Sequence, residues 1–99
     1  MRIETQSLHF DADSKLLEFI NKKVNKLTVF FDRIIDAEVT LKLENTGQIQ
    51  DKIAEIKLNI PGQILVAKEK SKTFEGSVDT VVSTLKRQLI KHKEKLGSR

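Results

Sequence analysis

Residues 85–96 read LKRQLIKHKEKL: five Lys or Arg, one His and a single Glu. Ammonium and guanidinium groups donate hydrogen bonds and accept none, and arrayed along a helix they neutralise a row of phosphates. The candidate array is Lys86, Arg87, Lys91, His92, Lys93 and Lys95, with a second basic set, Lys22, Lys23 and Lys26, far upstream. The charge is focused. Residues 1–85 hold 12 Lys/Arg and 13 Asp/Glu, whereas residues 86–99 hold six Lys/Arg and only Glu94. The net +4 therefore arises entirely in the last fourteen residues. A patch of that kind suits a polyanion or an acidic surface.

Other chemistries find little support. With no cysteine in the chain, disulfides, thiol catalysis and Cys-based zinc sites are excluded. His9 and His92 lie at opposite ends of the chain, and the four glycines are isolated, so no phosphate-cradling loop is formed. No nucleophile elbow is present. The run DADSK (11–15) begins like a calcium loop, but Lys15 falls at the third ligand position and no Gly or closing Glu follows in register. It reads as a helix cap. No catalytic residue, metal, cofactor or small-molecule substrate is expected, and hence no enzyme. The N-terminus lacks the apolar core of a signal peptide, and no apolar run approaches a membrane span. A cytoplasmic protein with no membrane partner is expected.

Five Phe and no Trp or Tyr argue against a base-stacking sheet of the RNA-recognition-motif type. Phe19, Phe30, Phe31 and Phe74 read as core or core-edge packing. The expected contacts are to phosphate and sugar.

The elements that must position these cations follow from periodicity. RIETQSL (2–8) reads as a strand and HFDAD as a turn, with Asp13 as N-cap of a helix reaching about Leu27. Leu16, Leu17, Ile20, Val24 and Leu27 form its apolar face. IDAEVTLKLE (35–44) alternates, with Ile35, Ala37, Val39, Leu41 and Leu43 inward. NTGQIQD reads as a loop, and KIAEIKLNI (52–60) as a strand with Ala54, Ile56, Leu58 and Ile60 inward. Pro61-Gly62 suits a type II turn, and QILVAKEKS (63–71) closes a meander. A last helix runs from near Thr73 to about Leu96 on the stripe Phe74, Val78, Val81, Val82, Leu85 and Leu89, with Gly97 placed to end it. One domain spanning residues 1–99 is predicted. Its class is α+β: a two-layer β-α-β-β-β-α sandwich, a four-stranded mixed sheet with both helices packed on one face. The first two strands should be parallel if adjacent.

With Leu85 at the buried centre of the last helix, Lys86 and Lys93 fall on one flank, Lys91 and Lys95 on the other, and Arg87 points outward beside Glu94. His92 lies near the buried side in the overhanging last turn. It reads either as domain-edge packing or as a hydrogen-bond donor to RNA. On the first helix, Lys15, Lys22 and Lys26 share the outward ridge. Lys23 lies at the border with its stem along Phe19. Basic residues near a helix C-terminus also complement the macrodipole, but one or two lysines would suffice. Arg87–Lys91 and Lys91–Lys95 repel at i, i+4.

The FFDRI run (30–34), TFEGSVD (73–79) and above all KRQLIKHKEKL (86–96) resemble the short-form ribosome hibernation-promoting factors, a family also called ribosome-associated inhibitors or sigma-54 modulation proteins. The likeness spans the whole chain. It implies a fold similar to double-stranded RNA-binding domains and a monomer when free. It also implies binding to 16S rRNA in the decoding region of the small ribosomal subunit, silencing translation in slow growth or stationary phase. The cations implied in RNA binding are Lys22, Lys23 and Lys26 of the first helix and Lys86, Arg87, Lys91, His92, Lys93 and Lys95 of the last. The C-terminal dimerisation domain of long forms is not expected here. Where an organism has the small ribosome modulation factor, that protein is a further expected partner. Phe74 stands where many relatives have Tyr, removing any hydroxyl contact there. Two other readings compete: a protein-interaction module docking on an acidic partner such as a transcription factor subunit, and a general duplex-RNA binder, whose Lys-rich N-terminal helix signature is not evident.

Overall fold

Alternation of apolar and polar residues builds a sheet of four strands, and two amphipathic helices cover its apolar side. The computed structural model describes residues 1–8, 10–46 and 49–97. The elements are β1 (Arg2–Leu8), α1 (Ser14–Asn25), a 3-10 turn (Lys26–Val29), β2 (Asp36–Thr46), β3 (Ile49–Ile60), β4 (Gln63–Ser71) and α2 (Phe74–Gly97). Strand order follows chain order, with β1 parallel to β2 and the other neighbours antiparallel. The expected α+β sandwich is the one observed. His9, within the expected HFDAD turn, lies outside the described residues, as do Gly47 and Gln48 of the expected loop and the chain beyond Gly97.

Because side chains alternate along a strand, the register lines up one buried row after another. Ala37 faces Leu58, Val39 faces Ile56 and Leu41 faces Ala54, all at most 1% exposed. Ile20 and Val24 of α1, Leu27, and Val78, Val81, Leu85 and Leu89 of α2 close over them, also at most 1% exposed. Burying a leucine this fully is worth roughly 1.5–3 kcal/mol. Phe10 stacks on Phe74 with ring centroids 4.7 Å apart, clipping the entry of α1 to the first residue of α2.

The helix starts are capped as their sequences dictate. The Asp13 carboxylate accepts from the Leu16 amide at 2.8 Å. The Thr73 hydroxyl accepts from the Gly76 amide at 3.0 Å. A Cβ at Gly76 would sit 2.7 Å from Ser71 Oγ and 3.0 Å from Thr73 Oγ1, so glycine lets this cap close. Gly62 takes φ 79°, as the Pro-Gly turn requires.

Three expectations need correction. Ile35 is 58% exposed, not inward. Regular pairing starts at Asp36, and the buried Ile34 fills the inner position, so the alternation slips by one residue at the strand entry. The expected loop is mostly strand, since pairing continues through Asn45↔Gln50 and Thr46↔Ile49. Backbone hydrogen bonds extend the ladder after apolar alternation stops. Finally, α1 ends at Asn25, and Leu27 is buried from the 3-10 turn.

The other sheet face is charged and open. Glu38 lies opposite Lys57 and Glu55 opposite Lys68, pairings that stabilise an antiparallel ladder. Ile53 belongs to this polar face yet is 5% exposed. Its cross-strand neighbours are Lys42 and Lys70, whose aliphatic stems can cover it.

Candidate nucleic-acid interface

Contacts between the helices advance in the same direction along both. Phe10, before α1, meets Phe74 at the start of α2. Lys23 meets Asp79. Phe30, past α1, meets Lys86, and Phe31 meets His92. The two helices therefore run in the same sense, and their C-terminal ends lie at one end of the molecule. At about 1.5 Å per residue, the 24 residues of α2 reach about twice as far as the 12 of α1.

This geometry gathers both basic sets. Lys22 and Lys26 are exposed, as are Lys86, Arg87, Lys91, Lys93 and Lys95. The two flanks read from the helical wheel open onto different cavities. On the α1 side, the Lys86 ammonium stands 4.7 Å from the Phe30 ring centroid, and Lys93 lines a cavity with Phe30, Phe31 and Arg33. On the β4 side, Lys91 and Lys95 line a groove with Gln63, Leu65, Gln88 and Glu94. Arg87 Nη2 lies 3.4 Å from Thr84 Oγ1.

His92 is half-buried and meets Phe31 edge-on, centroids 5.4 Å apart, while also reaching the β4-side groove. Edge packing is thus its observed role, with one side left for a ligand. Lys23 is held differently from its neighbours. Its ammonium is 3.1 Å from an Asp79 carboxylate oxygen and 5.5 Å from the Phe19 ring centroid. Lys23 fastens the helices together midway and is less available to phosphate than Lys22 or Lys26.

Two residues of this surface escaped the sequence reading. Arg33, exposed and lining the Lys93 cavity, lies in a turn where no helical wheel applies. Asp79 lies on α2, and no spacing relates it to Lys23. Asp11, Asp13 and Glu75 stand near the helix N-terminal ends, with Lys15 among them. Those acids complement the macrodipoles. For a phosphate ligand the helix C-termini are themselves unfavourable, each carrying about half a negative charge. The dense cations override that term.

Among the described residues, no group of three or more potential metal ligands is brought together, and no helix is long and apolar enough to cross a membrane. What the arrangement can do is clamp a phosphate backbone at one end of the molecule, from two helices and the turn between α1 and β2.

The sequence profile of the family described as "Sigma 54 modulation protein / S30EA ribosomal protein" matches residues 3–97. The chain is similar to the ribosome hibernation promoting factor of Pseudomonas putida, with 31% identity over 98 residues covering 99% of this chain and 92% of that protein. It is similar to the protein of the same name from Escherichia coli K12, with 30% identity and 97% coverage of each. Among solved structures, a ribosomal subunit interface protein from Coxiella burnetii superposes with a TM-score of 0.85 at 23% identity, covering 95% of this chain and 99% of that one. The Thermus thermophilus Protein Y N-terminal domain superposes with a TM-score of 0.80 at 22% identity, covering 93% and 99%. These two likenesses show the fold.

Proposed function

The chain belongs to the sigma 54 modulation protein / S30EA ribosomal protein family, and we propose that it is a ribosome hibernation factor acting through rRNA. In this reading the basic end of the molecule binds 16S rRNA in the decoding region of the small subunit. Bound there, it blocks the mRNA and tRNA sites and silences translation in slow growth or stationary phase. The work is done by occupancy in the cytoplasm, without turnover, by a chain that is monomeric when free. One observation carries the proposal: the parallel helices bring Lys26, Lys86, Arg87, Lys91 and Lys93, all exposed, toward the same end of the fold, with exposed Lys22 one turn behind Lys26. The names of its relatives, ribosome hibernation promoting factors, support the same role.

The test is co-sedimentation with purified small subunits, paired with a titration of cell-free translation. Binding should saturate near one copy per subunit and be abolished by RNase, and inhibition should track occupancy. Inhibition that grows with time at sub-stoichiometric protein points to an enzyme and refutes the reading. Binding that survives RNase assigns the basic helix to an acidic protein partner instead.

A further inference from the structure

Val29 is 79% exposed, the highest value among the large apolar side chains described. It sits in the basic end, on the 3-10 turn Lys26–Val29. In a 3-10 helix, residues three apart eclipse one another, so Val29 lies on the same side as Lys26. The next residue, Phe30, is half-buried with the Lys86 ammonium over one ring face at 4.7 Å. Val29, Phe30, Arg33 and Lys93 line one open depression of about 510 Å3. Arg33 and Lys93 thus line the apolar tip, with Asp32 the one acid in the cavity, while Lys86 lies over Phe30 and Lys26 shares the side of Val29.

We propose that this tip seats one unpaired nucleotide of the bound RNA, its base or ribose against Val29 and the edge of Phe30, its flanking phosphates on Lys26, Lys86, Arg33 and Lys93. The inference rests on the RNA reading above and adds to it. A duplex turns phosphates outward and hides its base faces, so it offers nothing to an apolar tip. An unpaired nucleotide presents an apolar face and two phosphates within a few ångströms, which is the pattern of this surface. The turn therefore does what the cations alone cannot: it prefers a splayed nucleotide to continuous duplex. A protein partner's apolar side chain would fill the tip equally well but would leave four cations facing it, and charge complementarity favours RNA.

The experiment uses purified small subunits and three proteins: wild type, Val29→Ser and Lys26→Glu. Affinity is measured across a salt series, and nucleotide mobility in the 16S rRNA by 2′-hydroxyl acylation. Val29 is outside the core, so an unchanged urea midpoint should verify that Val29→Ser is folded. The expected loss for Val29→Ser is about ten-fold, the size expected for two valine methyls no longer buried against a base or ribose, with the salt slope unchanged. One or two unpaired nucleotides immobilised by wild type should become mobile again. Lys26→Glu should instead flatten the salt slope. If Val29→Ser binds like wild type, or binds more weakly while every nucleotide stays immobilised, the nucleotide seat is refuted; the second outcome assigns the tip to a ribosomal protein. If wild type itself does not bind small subunits, the RNA reading fails and takes the seat with it.

Discussion

Charge reversal of Lys86, Arg87 and Lys91 together puts the largest demand on the basic end. The geometry sets the size of the effect. Six cations are exposed at the basic end or one turn behind it: Lys22, Lys26, Lys86, Arg87, Lys91 and Lys93. Lys23 is left out because Asp79 holds it; Lys95 and Arg33 are not counted, so six is a conservative number. If each neutralises one phosphate, log K should fall with log salt at a slope of about −4 to −5. Affinity should then drop about 250- to 1,000-fold between 50 and 200 mM salt. Removing three of the six should flatten the slope by about 2–3 units. All three side chains are exposed and contribute little to stability, so the urea midpoint should stay near wild type. The control is Lys68→Glu with Lys70→Glu on the open face of β4, away from both helices. Binding to small subunits is read by sedimentation or filter retention at four salt concentrations. Equal affinity and slope for triple variant and control would refute the reasoning, because the basic helix would then be no more than a solvated surface.

Leu85→Ala removes a side chain of 0% exposure and should cost about 2–5 kcal/mol in urea melts; a loss below about 0.5 kcal/mol contradicts full burial. Asp79→Asn releases Lys23 and should steepen the salt slope of small-subunit binding by just under one unit. An unchanged slope would show that Lys23 already meets phosphate in the presence of Asp79, or that it does not reach phosphate at all. Ser77, fully buried, donates to the Lys52 carbonyl at 2.5 Å, so Ser77→Ala should cost about 0.5–1.5 kcal/mol by chemical denaturation.

Much of the fold was legible because local pattern and global packing agree. The inward rows of β2 and β3, the Asp13 cap and the Pro61-Gly62 turn each follow from short-range rules. So did the α2 stripe, down to Leu85 and Leu89 at zero exposure. The flank assignment of Lys86 and Lys93 against Lys91 and Lys95 also followed, since it depends only on helical phase. The failures are of two kinds. Ile35 and the 45–51 segment fail where a regular element begins or continues without an apolar signal. Ser77, the Lys23–Asp79 pair and Arg33 depend on contacts between elements distant in sequence, which no periodicity encodes. An exposed valine in a 3-10 turn is equally silent until the turn itself is seen.

The shared direction of the two helices has a kinetic consequence. Because residues 86–95 carry five cations against one acid at the far end of α2, the positive charge is displaced from the middle of the molecule. In the field of a large polyanion such a molecule experiences a torque, and on the proposed reading it would turn its basic end inward while still diffusing. Such pre-alignment raises the productive fraction of encounters and weakens as added salt shortens the reach of the field. The same polarity acts after docking. The opposite end, where Asp11, Asp13 and Glu75 stand with Lys15 and Lys52 lies over Phe74, carries no cation excess, so on the proposed reading a second strand of nucleic acid would find little there to hold it.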